Sequence, residues 1–371
     1  MNVKFYMVDT HACGYYRGEI VAREVNGQYP NHRMDCKTCI LFSDYPGTHL
    51  MVFQRQNKNL ESVQFARARG IATIYELDDD IWGCPPVFEA YGKRCLKPEE
   101  SEAIMRECDA ITVTTPELGE VVREHLESMG VRECGSMGVA ADTPLRQHTP
   151  TVYVVPNAID LEMWDAAYGE KQVGNRDPGS PPPATGETMT IGWMASQSHL
   201  MDVPLVGEVL RDLLAEFPQL RLHFVGWIGM ESFMGNMMAP FKDRIVCGDW
   251  VPVSQLAETM KGFDIGLLPL VDHPWNRSKS ELKYLQYSAL GIPTVASPLP
   301  CYARAIESGA GLVAEHNAPA AWYNHLKALI LDEGLRRGMG ARARRNVYLK
   351  HNIKDQVRVW VETYERVRAG K

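Results

Sequence analysis

Ala72-Thr73-Ile74-Tyr75-Glu76-Leu77-Asp78-Asp79-Asp80-Ile81-Trp82 changes character halfway along. Ala72 to Glu76 is a short run of β-branched and aromatic residues, so it reads as a buried strand, and the three acids mark its exit. On its N-terminal side stand a helical stretch, Leu60 to Arg69, and another apolar strand, Leu50 to Phe53. On its C-terminal side come helix Pro98 to Arg106, strand Ala110 to Val113 and helix Pro116 to Ser128. With the first strand, Lys4 to Val8, and its helix, Arg17 to Glu24, strands and helices alternate. That rhythm predicts a parallel, doubly wound α/β sheet.

Gly130 to Pro150 breaks the rhythm with Gly, Ser, Thr and Pro and reads as a surface insertion, after which Val152 to Val155 resumes as a strand. Gly169 to Glu187, with Asp177-Pro178-Gly179-Ser180-Pro181-Pro182-Pro183, suits neither helix nor core. It is taken as the linker between a first domain, residues 1–168, and a second, residues 188–350. The second domain repeats the alternation: strands at Met189 to Trp193, Leu220 to Val225, Arg244 to Val246, Ile265 to Leu268 and Thr294 to Ala296, with helices between them. Residues 351–371 carry Val357, Trp360, Val361, Tyr364 and Val367 at helical spacing, a closing helix expected to pack back on the first domain. Two Rossmann-like domains with C-terminal helices are expected, their strand ends facing a central cleft.

The chain has 371 residues, more than one hydrophobic core usually organises, and is 45% hydrophobic and 23% charged. A net charge of −7 argues against a surface built mainly to wrap phosphate backbone. The first apolar run is too short for a signal-peptide core or a bilayer span, so nine cysteines read as reduced thiols and the cytoplasm as the location. The first strand is not followed by Gly-x-Gly-x-x-Gly, which argues against a dinucleotide-dependent epimerase or dehydrogenase.

Val155-Pro156-Asn157-Ala158-Ile159-Asp160, Ile191-Gly192-Trp193, Leu267-Leu268-Pro269-Leu270, Lys279-Ser280-Glu281-Leu282-Lys283-Tyr284, Ala289 to Ser297 and Gly340-Ala341-Arg342-Ala343-Arg344 occur in this order. Together they resemble the family 4 retaining glycosyltransferases of GT-B fold, from about Pro156 onward. Over the first domain the likeness rests on Gln54-Arg55 and on Glu76 to Trp82. The family's two glutamates, eight residues apart, would fall at Ser278 and Gln286, and neither is acidic. The chain is similar instead to a phage and bacterial surface-polysaccharide subgroup with a Lys-Ser pair at that place. The resemblance implies transfer of a sugar from a nucleotide-sugar, a UDP-sugar foremost, with retention; a metal-dependent single-domain transferase would not explain a second Rossmann-like domain, so no required metal is expected.

Sugar transfer must stabilise a departing diphosphate and align an acceptor hydroxyl. Lys279 and Ser280 stand ahead of a helix start, where backbone N–H groups and the dipole meet an anion, and Lys283 supplies a second cation one turn on. Asn276 ends the helix-breaking stretch before them. Gly192, Trp193, Ser196 and His199, read as the turn after a strand, are candidate donor contacts, as is the base-holding loop Trp250-Val251-Pro252. Asp78, Asp79 and Asp80, with Lys279, are the catalytic candidates; mutual repulsion of three adjacent carboxylates calls for cations, N–H donors or an open cleft. Tyr15, Tyr16, Arg17, Gln54 and Arg55, at strand exits, are candidates for the acceptor side, and the two arginines alternatively pair with the acids.

Other readings stay open at this level. Asp78-x-Asp80 also matches the metal-binding carboxylates of a metal-dependent transferase, and a nucleotide-sugar-binding protein without catalysis would keep the Lys279 region. Cys36-x-x-Cys39 with Cys84 and Cys95 has some of the make-up of a zinc site, but its second pair has the wrong spacing. The basic helical residues Arg336, Arg337, Arg342, Arg344 and Arg345 suggest a solvated face before a membrane or nucleic-acid contact. The acceptor is a glycan, a protein, a small molecule or a hydroxymethylated base of phage DNA, and the oligomeric state is unread.

Overall fold

A computed structural model of the chain describes residues 1–88, 97–129, 149–174, 188–195, 197–226, 237–307 and 309–370. The expected insertion at Gly130 to Pro150 lies almost wholly outside them. By contacts the chain forms two compact units, one of Met1–Asn157, Arg277–Ser280 and Ile353–Lys371, the other of Ala158–Asn276 and Glu281–Asn352.

The first unit is built on a parallel sheet of strands β1 (Asn2–Tyr6), β2 (Arg33–Lys37), β3 (Leu50–Gln54), β4 (Ala72–Leu77), β5 (Ala110–Val113) and β6 (Thr151–Val154), in the order β2-β1-β3-β4-β5-β6. Every residue of β3 and β4 is buried, as unbroken apolar runs require when helices cover both faces. Met51, Phe53, Tyr75, Leu77 and Ile111 pack there with Val63 and Ala66 of helix α2 (Leu60–Ala68) and Leu118 and Val122 of α4 (Pro116–Met129). Helix α3 (Pro98–Glu107) follows β4 in the chain. Helix α1 (Ile20–Gln28) starts later than its sequence suggests, because Tyr15–Glu19 form a π-helical turn ahead of it. β2 is unpredicted: of Arg-Met-Asp-Cys-Lys only Met34 is buried, a polar edge strand with no apolar signal.

The second unit contains β7 (Met189–Met194), β8 (Leu220–Val225), β9 (Ile245–Gly248), β10 (Ile265–Leu268), β11 (Thr294–Ala296) and the two-residue β12 (Leu312–Val313). Their order is β12-β11-β10-β7-β8-β9, all neighbours parallel, the doubly wound pattern of a Rossmann-like fold. Its core joins Ile191, Trp193, Leu222 and Leu267 to Leu210 and Leu213 of helix α6 (Gly207–Glu216) and to Trp322 and Leu326 of a later helix. Helix α5 (Leu161–Gly174) occupies the first residues of the expected linker, burying Leu161, Trp164 and Ala167, so the chain divides after Asn157 and not near residue 168. Helices α7 (Val253–Met260), α8 (Leu282–Ala289), α9 (Pro300–Ala305), α10 (Pro319–Leu331) and α11 (Glu333–Lys350) complete it. The closing helix α12 (Ile353–Ala369) packs on α1 and β4 of the first unit.

Candidate functional site

Chain order reverses between β1 and β3 in the first sheet and between β7 and β10 in the second, and open α/β sheets bind ligands beyond the carboxyl ends of strands at such points. In the first unit Gln54, at the end of β3, spans this point. It accepts from the Val8 N–H at 3.1 Å and donates to the Cys13 carbonyl at 2.9 Å. Arg55 follows with a left-handed φ of 43°, an uncommon conformation for a residue with a side chain. Its Nε lies 3.2 Å from Asp78 Oδ1 and its Nη2 donates to Cys13 Sγ at 3.4 Å. Burial, and then the Asp78 charge, push the Cys13 thiol well above its usual value.

The three acids take different roles. Asp78 is spoken for by Arg55. Asp80 is 2% exposed, and its Oδ1 accepts from the N–H groups of Trp82 and Gly83 at 2.9 and 2.8 Å. A side chain at position 83 would stand 2.3 Å from its other oxygen, so Asp80 and Gly83 together form the turn after β4. Burial raises the Asp79 carboxyl above its ordinary value against the pull of Lys279 and then Arg55, while Asp78 and Asp80 add to the rise. Asp79 and Lys279 are thus the catalytic candidates that the fold couples.

Residues 277–280, which carry Lys279, cluster with the first unit. Thr115 Oγ1 donates to the Ser278 carbonyl at 3.0 Å, and Asn157 Nδ2 to Ser280 Oγ at 2.9 Å. Asn157 is held in turn: its Oδ1 accepts from Arg17 Nη1 at 3.2 Å, which also reaches the Val155 carbonyl at 2.7 Å. Arg17 lies over the Trp360 ring, 5.1 Å from its centroid, and ion-pairs with Glu76, whose other oxygen accepts from Thr112 Oγ1. Burial, the largest influence, raises the Glu76 carboxyl, and Arg17 opposes it. Arg17 is accordingly a buried support and not an acceptor contact, and it pairs with Glu76 instead of with Asp78 to Asp80. Tyr16 and Gln54 are likewise buried; of the acceptor-side candidates Tyr15 and Arg55 keep some exposure.

At the second switch point Gly192 and Trp193 lie inside β7 and not in the turn after it, a correction with a packing cause. A Cβ at Gly192 would fall 2.0 Å from the Phe263 ring, and Trp193 is core. The Tyr287 hydroxyl donates to the Gly192 carbonyl at 3.3 Å and accepts from Met194 N–H at 2.8 Å. Ser196 lies outside the described residues. His199 is buried, with Nδ1 2.8 Å from Asp202 Oδ2. Asp202 Oδ1 accepts from Val271 N–H at 2.7 Å and Asn276 Nδ2 at 3.0 Å, joining the segments that follow β7 and β10. Sequence reasoning missed Asp202, though its spacing three residues after His199 was a usable signal. Gly226 closes the neighbouring turn at φ 85°, where a side chain would meet the Ala195 carbonyl at 2.2 Å.

Lys283 is half-buried in the first turn of α8, and Lys279 and Ser280 precede the helix itself. Trp250 is 46% exposed, with Val251 half-buried and Pro252 exposed, in the loop between β9 and α7. A hollow of about 490 Å³ opens beside Asp272, Leu299, Glu315 and His316, where His316 and Asn317 both have left-handed φ, 56° and 53°. Among the described residues no three His, Cys, Asp or Glu are grouped to hold a metal. Cys36, whose thiol burial pushes up to about 12, and Cys84 are half-buried, Cys39 is exposed, and Cys95 lies outside the described residues.

Residues 189–332 match the family Glycosyl transferases group 1. This group 1 segment holds β7 to β12 and the His199–Asp202–Asn276 network. The whole fold is that of the GT-B glycosyltransferases. Sucrose-phosphate synthase from Thermosynechococcus elongatus is similar at a TM-score of 0.64 and 13% identity over 100% of both chains. HepE of Anabaena, solved with UDP and glucose, gives 0.63 and 11% over 98% of each chain. TarM gives 0.60 and 10% over 87% of this chain, which spans 56% of TarM's length. No curated protein matches in sequence. Among the described residues no helix is long and apolar enough to cross a membrane.

Proposed function

We propose that this chain is a glycosyltransferase that moves a sugar from a UDP-sugar to an acceptor hydroxyl, with retention at the anomeric carbon. The observation that carries the reading is the tethering of the Lys279 segment to the first unit, by Thr115 at the Ser278 carbonyl and Asn157 at Ser280, where the Lys279 charge acts on Asp79, in a chain whose residues 189–332 match the group 1 family. As the bond from the anomeric carbon to phosphate breaks, negative charge grows on the leaving diphosphate, and the ammonium of Lys279 stabilises it. Asp79, kept near an ionised cation and partly desolvated, accepts a hydrogen bond from the acceptor hydroxyl or steadies the positive sugar. In this reading the ammonium of Lys279 supplies the positive charge for the leaving diphosphate, and no divalent ion is required.

HepE, a structural neighbour, was solved with UDP-glucose, which supports a UDP-sugar donor. The acceptor is a glycan or a hydroxymethylated base of phage DNA. Seven free thiols among the described residues support work in the reducing cytoplasm.

Thermal stabilisation by UDP-, GDP-, ADP- and dTDP-sugars, with and without chelator, tests this. A shift specific to a UDP-sugar, indifferent to chelator and lost in Lys279→Ala, is expected; saturation to a hundredfold above Kd corresponds to about 2.7 kcal/mol. No shift with any nucleotide-sugar overturns the reading.

A further inference from the structure

At the amino ends of β10 and β11, on the edge of the second sheet opposite to the switch-point loops, lies a cavity of about 330 Å³. Tyr168 and Lys171 of α5, Asp264, and Glu333, Arg336 and Arg337 of α11 line it, together with Gly291 and Gly338. A second hollow of about 430 Å³ shares Lys171 and Asp264 and adds the hydroxyls of Thr188 and Thr190. The charges are unevenly matched. Arg337 has Glu333 at 3.7 Å, whereas among the described residues neither Lys171 nor Arg336 has a carboxylate within ion-pair distance. Lys171 is tied by two carbonyls, Lys261 at 3.0 Å and Phe263 at 2.5 Å, and Arg336 Nη1 by those of Leu329 at 2.7 Å and Ile330 at 3.0 Å. An ammonium has three donors and a guanidinium five, so each cation is fixed in place with donors to spare. Burial lowers the values of both groups; the Asp264 charge acts against it in each, joined at Arg336 by Glu333 and Asp332, and the Arg336 charge adds to the lowering at Lys171.

We propose that this cavity is a binding site for a small phosphate-bearing anion, distinct from the nucleotide-sugar site, with Lys171 and Arg336 as its two charged donors. An oxyanion there would meet the spare donors of two half-buried cations that carry no direct ion pair, and charge-assisted hydrogen bonds of this kind are the stronger class. Orthophosphate and a sugar phosphate share the chemistry. Asp264, whose Oδ2 accepts from Thr190 N–H at 2.7 Å, is the carboxylate of the cavity wall shared with the second hollow.

The experiment is calorimetric titration of the full chain with inorganic phosphate and, separately, glucose 6-phosphate, at constant ionic strength held with chloride. Saturable binding is expected, weakened about tenfold or more in Arg336→Gln and kept in Arg336→Lys. Gln retains a donor for the same carbonyls, so Arg336→Gln tests the charge without unmaking the end of α10; Lys171→Met is the second variant, with circular dichroism to verify folding. Tighter binding of glucose 6-phosphate assigns the ligand to the sugar phosphates, and equal binding assigns it to free phosphate. Lys279→Ala separates the site from the proposed donor site. Binding that vanishes in Lys279→Ala but survives Arg336→Gln overturns the proposal, as does the lack of saturable binding to the parent chain.

Discussion

Arg17 Nε donates to Glu76 Oε1 at 2.6 Å, and each side chain is 1% exposed. The pair joins residues 59 apart in sequence, and through Asn157 it reaches Ser280, next to Lys279. A fully buried ion pair is weak support for stability in itself, because desolvation offsets most of the attraction. Here its place in a hydrogen-bonded chain gives it a second consequence, the placing of the segment that carries Lys279.

Arg17→Met should therefore destabilise the chain by about 3–5 kcal/mol, since it leaves Glu76 buried without its cation. The deficit should depend on pH. Burial already raises Glu76 above its ordinary value, and losing Arg17 removes the main opposing influence. A carboxyl with a raised folded value contributes stability below its unfolded value of about 4.5, and loses it as pH rises through the folded one. Urea midpoints at pH 5 and pH 8 should show the larger loss at pH 8, with Arg17→Met/Glu76→Leu recovering part of it. Equal losses at both pH values would mean that Glu76 is already neutral in the parent.

Asp202 satisfies three groups at once, His199 Nδ1, Val271 N–H and Asn276 Nδ2. Removing a buried acceptor costs about 1–3 kcal/mol for each donor left unpaired, so Asp202→Ala should lose about 3 kcal/mol or more, with a smaller loss in His199→Ala. Denaturant midpoints at unchanged m-value check this. A loss under about 1 kcal/mol would show that water enters and replaces the carboxylate.

Gly192 is in β7 for reasons of space. Gly192→Ala places a methyl into the Phe263 ring and should cost about 1–3 kcal/mol, partly recovered by Phe263→Leu. If the glycine instead served close approach of a ligand, the variant would keep its melting temperature and lose only nucleotide-sugar binding.

The parts of the fold legible in sequence were those written in apolar runs. β3 and β4 are buried on both faces and read as strands at once, whereas β2 is polar and β12 has two residues, and neither carries a period. Helix α5 was masked by the glycines and prolines that follow it. At the site, strand exits could be found but not the direction of side chains. Position at an exit gave Arg17 and Arg55 the same standing, and packing then buried one under Trp360 and set the other against Asp78. The division of three adjacent acids depends on the Arg55 guanidinium beside Asp78, the turn at Gly83 and the Lys279 charge acting on Asp79, which no local pattern encodes.

Asp79 offers the sharpest separation of function from structure. Its folded value is raised above 3.8, chiefly by burial, so the folded chain holds that proton more tightly than the unfolded chain does. The corresponding stability is present below 3.8 and is lost as pH rises through the folded value; at neutral pH the ionised carboxylate works against the fold. Asp79→Asn retains an oxygen for the Asp80 N–H, which it now accepts at 3.1 Å, and removes the buried charge. Its melting temperature should exceed that of the parent at pH 7.5, the gain shrinking towards pH 4, while sugar transfer falls by about a hundredfold. Calorimetric scans across that pH range, paired with transfer assays, check both halves. A melting temperature that drops at pH 7.5 would make Asp79 a structural partner of Lys279, and unchanged transfer would remove it from the chemistry.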